Sequence, residues 1–364
     1  MKHRLIRWLP AIVVPAAIAA GAIAIPLAAG AADLPVKSPE DVLRLVASSD
    51  TKAFSGTVQQ TSDLGLPSIP KMGGGSSSTD SSIASTLSLL MGDHTAKVYV
   101  DGPTKVRVQL LDQLAERDAI RNGSDVWLYQ SSDQSVTHAT IPAHAKSGAT
   151  ETPTPDATAS PDATASPDAT ATTPQALAEK FLAAVDPSTK VTLGANTKVA
   201  NRDAYDLVLT PRTDATLVGS VAIAVDGQTG LPLQVQVTAR GASSPSFQAG
   251  FSDFTPGAPD ASVFSFTPPK GATVTEQTPK TGEHATATNR PKPTVTGTGW
   301  ATIVSLPAGT VPAQALADPL VAQLSQSVAG GRALSTSLVS VLVTADGRLL
   351  AGAVPVSALQ AAAQ

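Results

Sequence analysis

Ala119-Ile120-Arg121-Asn122-Gly123-Ser124-Asp125-Val126-Trp127-Leu128-Tyr129 sets an Asn-Gly pair between two runs of strand-forming residues. Asn-Gly accepts the positive φ angles of a tight hairpin, so the stretch reads as two antiparallel strands. Just upstream, Val106, Val108 and Leu110 alternate with Lys105, Arg107 and Gln109, the period-2 signature of a half-buried strand. The same pattern runs from Thr95 to Ile141. Further strands are expected at Ala53–Gln60, Ala204–Thr210, Leu217–Val225, Leu231–Ala239, Ser246–Phe254 and Val263–Phe266, with Asp226-Gly227-Gln228-Thr229-Gly230 as a tight turn.

Two amphipathic helices accompany the strands. Ser38-Pro39-Glu40-Asp41 offers a capping serine, proline at the first helical position and two acids in the first turn. Val42, Leu43, Leu45 and Val46 supply its apolar stripe. A second helix, Pro174 to Val185, carries Leu177, Phe181, Leu182 and Val185 on one face. About nine to eleven strands with two such helices hold more apolar surface than one flat sheet can bury on itself. After a polar linker at 279–293, residues 294–364 read as a small α+β module. It has a strand near Trp300–Leu306, a helix from Pro312 to about Val328, a hairpin (Leu338–Val343, Leu349–Val354) turning at Asp346-Gly347, and a terminal helix.

Two stretches are of low complexity. Around 150–173, Pro155-Asp156-Ala157-Thr158-Ala159-Ser160 recurs from Pro161 and, nearly, from Pro167; without large apolar residues it reads as a disordered insert. Gly73-Gly74-Gly75 and a serine run precede Ile83, Leu87, Leu90 and Met91 at helical spacing. Flexible glycines beside an apolar element suit a lid; a helix permanently packed on the sheet is the alternative.

Residues 1–32 read as an export signal. Lys2, Arg4 and Arg7 precede an uncharged stretch from Trp8 to Ala32, with small residues at Ala29 to Ala32 for cleavage. The stretch is also long enough to serve as a retained membrane anchor, although Pro10, Pro15 and Pro26 interrupt it. The formal charge is −4; taking those three cations from the 25 basic residues leaves 22 against 29 acidic ones, a net −7. That balance, with no basic cluster interleaved with aromatics, argues against nucleic acid as a partner. There is no cysteine, so the fold needs no oxidation and carries no lipid on a lipoprotein cysteine.

Catalytic patterns do not assemble. His3, His94, His138, His144 and His284 form no zinc-binding spacing, and no P-loop, GxGxxG or G-x-S-x-G occurs. Ser49-Asp50-Thr51-Lys52 and Lys280-Thr281-Gly282 match two penicillin-binding signatures, but the serine closes a helix, the lysine lies in a linker, and S-x-N is absent. Neither enzyme nor cofactor is expected.

Four segments, in order, resemble the LolA-type lipoprotein-carrier family: Phe54-Ser55-Gly56-Thr57-Val58-Gln59-Gln60; Arg121 to Tyr129; Tyr205-Asp206-Leu207-Val208-Leu209-Thr210-Pro211; and Phe264-Ser265-Phe266-Thr267-Pro268-Pro269-Lys270-Gly271-Ala272-Thr273-Val274. The sigma-factor regulators of the RseB type join a similar domain to a smaller C-terminal one. The resemblance covers about Ser38 to Glu276 and, with the Ala-, Thr- and Pro-rich composition, points to an exported bacterial, actinobacterial member. It implies an α+β protein, a strongly curved antiparallel half-barrel over residues 33–278 with covering helices, whose apolar interior receives lipid or lipoprotein acyl chains. Each methylene so buried contributes about 0.8 kcal/mol. Phe54, Trp127, Phe247 and Phe251 are the expected cavity residues, with ordinary core roles as the alternative. Where the family's latch has a basic residue before proline, this chain has Gly102 before Pro103. A monomeric carrier, a sensor docking a membrane protein, and a structural envelope protein all remain open as roles. Because the repeats at residues 155–172 lack large apolar side chains, deleting them should leave the thermal midpoint nearly unchanged, as a melting curve of the truncated protein would check.

Overall fold

The computed structural model describes residues 34–66, 92–111, 115–141, 173–183, 187–277, 292–309 and 323–364. Helix α1 (Pro39–Ala47) starts as its sequence dictates. The Asp41 N–H donates to Ser38 Oγ (3.2 Å), and the Ser38 N–H donates back to Asp41 Oδ2 (3.2 Å). Ten-residue helix α2 (Pro174–Ala183) is the second. The lid candidates Ile83, Leu87, Leu90 and Met91 and the insert's repeats lie outside the described residues.

One large sheet dominates. Its first six strands form a meander: β1 (Ala53–Ser62), β2 (His94–Asp101), β3 (Lys105–Leu111), β4 (Glu116–Asn122), β5 (Asp125–Gln130) and β6 (Ser135–Thr140). A second run follows α2: β7 (Thr189–Leu193), β8 (Thr197–Val199), β9 (Arg202–Pro211), β10 (Val218–Asp226), β11 (Pro232–Ala239) and β12 (Phe247–Pro256). Strand β13 (Thr273–Gln277) completes it. The order across the sheet is β13-β6-β5-β4-β3-β2-β1-β12-β11-β10-β9-β7, with β8 also paired to β9, so the sheet is open rather than closed. All pairings are antiparallel except β13 on β6.

The hairpin that opened the sequence reading forms, one residue along. Asn122 pairs with Asp125, so the two-residue loop is Gly123-Ser124, with the positive φ (+67°) at its first position. That is the arrangement of a type II′ turn. The Asp226–Gly230 turn also forms. The buried Asp226 carboxylate takes both Arg202 Nε and Nη2 at 2.8 Å and the Thr229 N–H at 2.8 Å. Arg202 and Thr229 hold its pKa below the usual carboxylate range against the effect of burial.

The two meanders meet where β1 pairs with β12. Register runs from Phe54↔Pro256 to Thr57↔Asp253 and then jumps to Val58↔Phe251, leaving Ser252 as the extra residue of a bulge. Gly56 makes this joint possible. A methyl group there would lie 2.5 Å from the Asp253 carbonyl oxygen and 2.7 Å from the Phe251 ring.

Two strand expectations are corrected. Val263–Phe266 is not a strand: Ala261–Phe264 forms a 3-10 turn in which Asp260 accepts the Ser262 N–H at 2.8 Å, a local bond that competes with ladder pairing. In the C-terminal module, residues 326–328 of the expected helix instead form a strand. That module is a six-stranded sheet of β14 (Thr294–Thr296), β15 (Ile303–Leu306), β16 (Gln326–Val328), β17 (Gly331–Ser335), β18 (Ser340–Thr344) and β19 (Leu349–Gly352), followed by helix α3 (Val356–Ala362). Its order is β14-β15-β19-β18-β17-β16. Ala329-Gly330, with Gly330 at φ +88°, makes a two-residue hairpin between β16 and β17.

The module is seated on the large sheet. The Leu217 N–H and Thr216 Oγ1 donate to the Ala353 carbonyl (2.8 and 2.7 Å), Trp300 Nε1 donates to Thr189 Oγ1 (2.8 Å), and Leu338 is fully buried beside both helices. Gly56→Ala should destabilise the protein by about 1–3 kcal/mol through overpacking at the joint, read from the urea midpoint.

Candidate functional site

Strand pairing decides which side chains share a face, because residues opposite each other in antiparallel strands project the same way. On β12, Phe247 and Ala249 pack with Val42 of α1 and with Leu177 and Phe181 of α2. Phe251, two residues on, packs with Phe54, Val58 and Val98. By strand parity the face of Phe247 and Ala249 runs on across the β1–β12 joint, where Phe54 and Phe251 form a second core with Ala204 and Ala224 rather than packing under the helices. Through Val58↔Ala96, Val98↔Val108, Val108↔Ala119 and Ala119↔Leu128 it reaches β5. The helices pack over β7, β9, β11 and β12, whereas the same face of β2–β5 is an apolar wall. Ala96, Val106 and Val108 cluster there with Leu110, and Leu128 is 40% exposed.

The back face of the same strands is polar and tied down. Arg107 grips Asp118 through Nε–Oδ1 (3.2 Å) and Nη2–Oδ2 (2.6 Å) and donates to the Val263 carbonyl (3.1 Å). Burial dominates the titration of Asp118 and pushes its pKa up, with Arg107 opposing. Trp127 stacks on His138 with centroids 3.8 Å apart, and Phe266 lies against Trp127 and Tyr129. His138 contacts Glu276 of β13 through Nδ1 (2.8 Å) and Asp125 through Nε2 (3.1 Å). Desolvation lowers its pKa, but the two carboxylates outweigh that and raise it. They approach opposite ring nitrogens, so the three side chains cannot share one ion. Among the described residues no three metal-ligating side chains converge.

The four expected cavity residues thus divide. Phe247 packs under the helices, Phe54 and Phe251 pack together in a separate core beside the joint, and Trp127 is on the back, opposite Ile120. Leu128, its neighbour, is the residue on the apolar wall; the alternation Val126–Leu128 against Trp127–Tyr129 carried that information, but not which set faced the helices. Two cavities lie elsewhere. One of about 620 Å³ is bordered by Ala329, Leu342, Arg348 and Gln360 in the C-terminal module. Another of about 400 Å³ is bordered by Asp63, Arg240, Ser246 and Ser337.

Fold and face define a class: an open, mainly antiparallel sheet, backed by helices over half its width and apolar on the same side beyond them. The chain belongs to the family described as "Predicted periplasmic protein (DUF2092)", whose model matches residues 76–276, more than half of its length. No curated protein matches it in sequence. Solved structures similar to it include the MucA/MucB complex of Pseudomonas aeruginosa, at 16% identity over 89% of this chain and 96% of that one, with a TM-score of 0.41. A LolA superfamily protein from Nitrosomonas europaea is similar at 9% identity, over 64% of this chain and 99% of the other, with a TM-score of 0.22. An uncharacterized conserved protein from Thermus thermophilus is similar at 11% identity, 65% and 98% coverage, and a TM-score of 0.33. These names lend no support to an actinobacterial source, and superpositions this loose leave the site to be read from the chain's own geometry. No helix among the described residues is long and apolar enough to cross a membrane.

Two back-face groups give the protein a pH dependence of one sign. Burial pushes the Asp206 carboxyl up to about 6, so its ionisation opposes folding as pH rises through that value. The His138 contribution is complete below its unfolded value and is lost as pH rises through its raised folded one. Stability should therefore fall through Asp206 between its ordinary value of 3.8 and about 6, and through His138 as pH rises above the ordinary imidazole value of 6.5. Asp206→Asn should flatten the part of the curve between 3.8 and about 6, which urea midpoints across pH would reveal.

Proposed function

We propose that this chain is an exported envelope protein that holds an amphiphile against the apolar face of β1–β5, acting as a carrier or chaperone rather than as an enzyme. One observation carries the reading. The face that is packed by helices on β9–β12 continues, with the same side-chain chemistry, onto β2–β5, where Leu128 is 40% exposed and Leu110 only half-buried. An acyl chain laid along that wall contributes about 0.8 kcal/mol per methylene removed from water, so a long chain is retained without a polar anchor. Phe54 and Phe251 close the wall at the joint. Residues 33–278 form the binding unit in this reading, and 294–364 buttress its helix-bearing half.

A sensor that docks a membrane protein is the second reading, favoured by β13. All five of its residues are exposed, and among the described residues it ends the sheet with an unpaired edge suited to strand addition.

Organic extraction of the purified protein followed by mass spectrometry should recover a bound lipid. Leu128→Ser should weaken binding of a fluorescent fatty-acid probe by about tenfold while moving the thermal midpoint little, because the residue is already partly in water. A wild-type protein that binds no apolar probe would overturn the carrier reading, and recovery of a single membrane protein with no lipid would favour the sensor.

A further inference from the structure

Charge is sorted between the two faces of the first meander. Strands β1–β6 carry four carboxylates, Asp101, Glu116, Asp118 and Asp125, and strand parity puts all four on the back. Each has a partner there: Lys105 at 2.9 Å, Gln109 at 2.6 Å, Arg107, and His138 at 3.1 Å. The apolar face of the same strands carries only Arg117 and Arg121 among Lys, Arg, Asp and Glu. Their register is unambiguous: Arg117 stands opposite Leu110 and Gln130, and Arg121 opposite Val106 and Val126.

These two arginines lack counter-ions among the described residues. Arg121 Nε donates to the Gly123 carbonyl (3.2 Å), and Arg117 Nε is buried without a hydrogen-bond acceptor. A half-buried guanidinium beside valine and leucine loses hydration and gains nothing in return unless an anion meets it. The arginines stand four residues apart on one strand, about 13 Å along it, with Ala119 between them. Each offers the planar fork that matches phosphate or carboxylate.

We propose that the ligand of the apolar face is an anionic amphiphile, its chain laid along the partly exposed Leu110, Val126 and Leu128 and its phosphate or carboxylate held by Arg117, Arg121 or both. The inference rests on the binding face read above and adds the headgroup. It does not invoke the back-face pairs, whose carboxylates point away.

Chain-matched soluble probes separate the two claims. Dodecyl phosphate, dodecanoate, dodecanol and dodecyltrimethylammonium would be titrated into the purified protein below their micellar concentrations. The anions should bind about tenfold or more tightly than the alcohol, with the preference shrinking as salt rises. Phosphate above carboxylate would point to a phospholipid source, and the reverse to a free fatty acid. Arg117→Gln with Arg121→Gln should abolish the preference for anions while leaving dodecanol affinity unchanged. The single variant Arg121→Gln, whose Nε already has the Gly123 carbonyl as acceptor, should reduce the preference if the double variant does not fold. Equal binding of all four probes, or a preference surviving in the variants, would overturn the headgroup assignment and leave the apolar face standing. Binding of none of them would overturn both, and an acidic peptide bound in their place would make the partner a protein.

Discussion

The molecule depends on the joint between β1 and β12. Two antiparallel meanders, each able to pair only with its own neighbours, become one sheet because Phe54–Ser62 runs beside Phe247–Pro256. The joint is tight: Gly56 has no side chain, the Phe251 ring occupies the space a methyl group would need, and Ser252 is squeezed out as a bulge whose hydroxyl returns to the Thr57 carbonyl at 3.2 Å. A bulge bends a strand and increases its twist, so the joint also turns the first meander relative to the second. Phe54, Phe251 and Phe254 fill the inside of that turn, with ring centroids 5.1–5.9 Å apart. This register fixes which side chains of the first meander share a face with those of β12.

What the joint makes continuous, the two meanders use differently. Beyond it β9–β12 bury both faces: helices and the C-terminal module on one side, the β8 turn and the Arg202–Asp226 pair on the other. The first meander buries its back against the closing segment, and on its front Val98, Val106 and Val108 are buried while Leu128 stays 40% exposed. On the back the Arg107–Asp118 pair reaches the Val263 carbonyl, and the aromatic ring of Phe266 settles on Trp127. Polar side chains with ion-pair partners thus hold the closing segment behind the sheet, and apolar ones are left in front. The division of labour follows from the period of two in a strand: adjacent residues serve opposite tasks without interfering.

Much of this was legible in the sequence where local chemistry decides structure. The Ser38-Pro39-Glu40-Asp41 cap, the Asn122-Gly123 hairpin, the Asp226–Gly230 turn and the alternation at Lys105–Leu111 all specify their elements within a few residues. The failures share a cause: they depend on partners far along the chain. Thr273–Gln277 is exposed at every position, so no alternation betrays it as a strand. Its pairing is parallel, across a separation that no local pattern records. Phe264 has a strand-like neighbourhood, yet Asp260 captures the backbone first. Trp127 stands out as a large aromatic, but strand parity across five pairings, not size, assigns it to the back while Leu128 faces front. The unpaired arginines were equally visible as letters. Only the register shows that the carboxylates beside them in sequence point elsewhere.

The far edge of the sheet has a consequence for how the chain must be made. Strand β6 is complete at Thr140, but the strand that covers it ends at Gln277, and β1 waits for a partner that ends at Pro256. A chain threaded through a membrane from its N-terminus therefore presents an unfinished sheet, with two hydrogen-bonding edges bare, until more than half of its length has crossed. Nonlocal closure of this kind is slow, because loop entropy is lost before the contacts that repay it can form. During that interval the edges of β1 and β6 are sites where like chains can pair with one another.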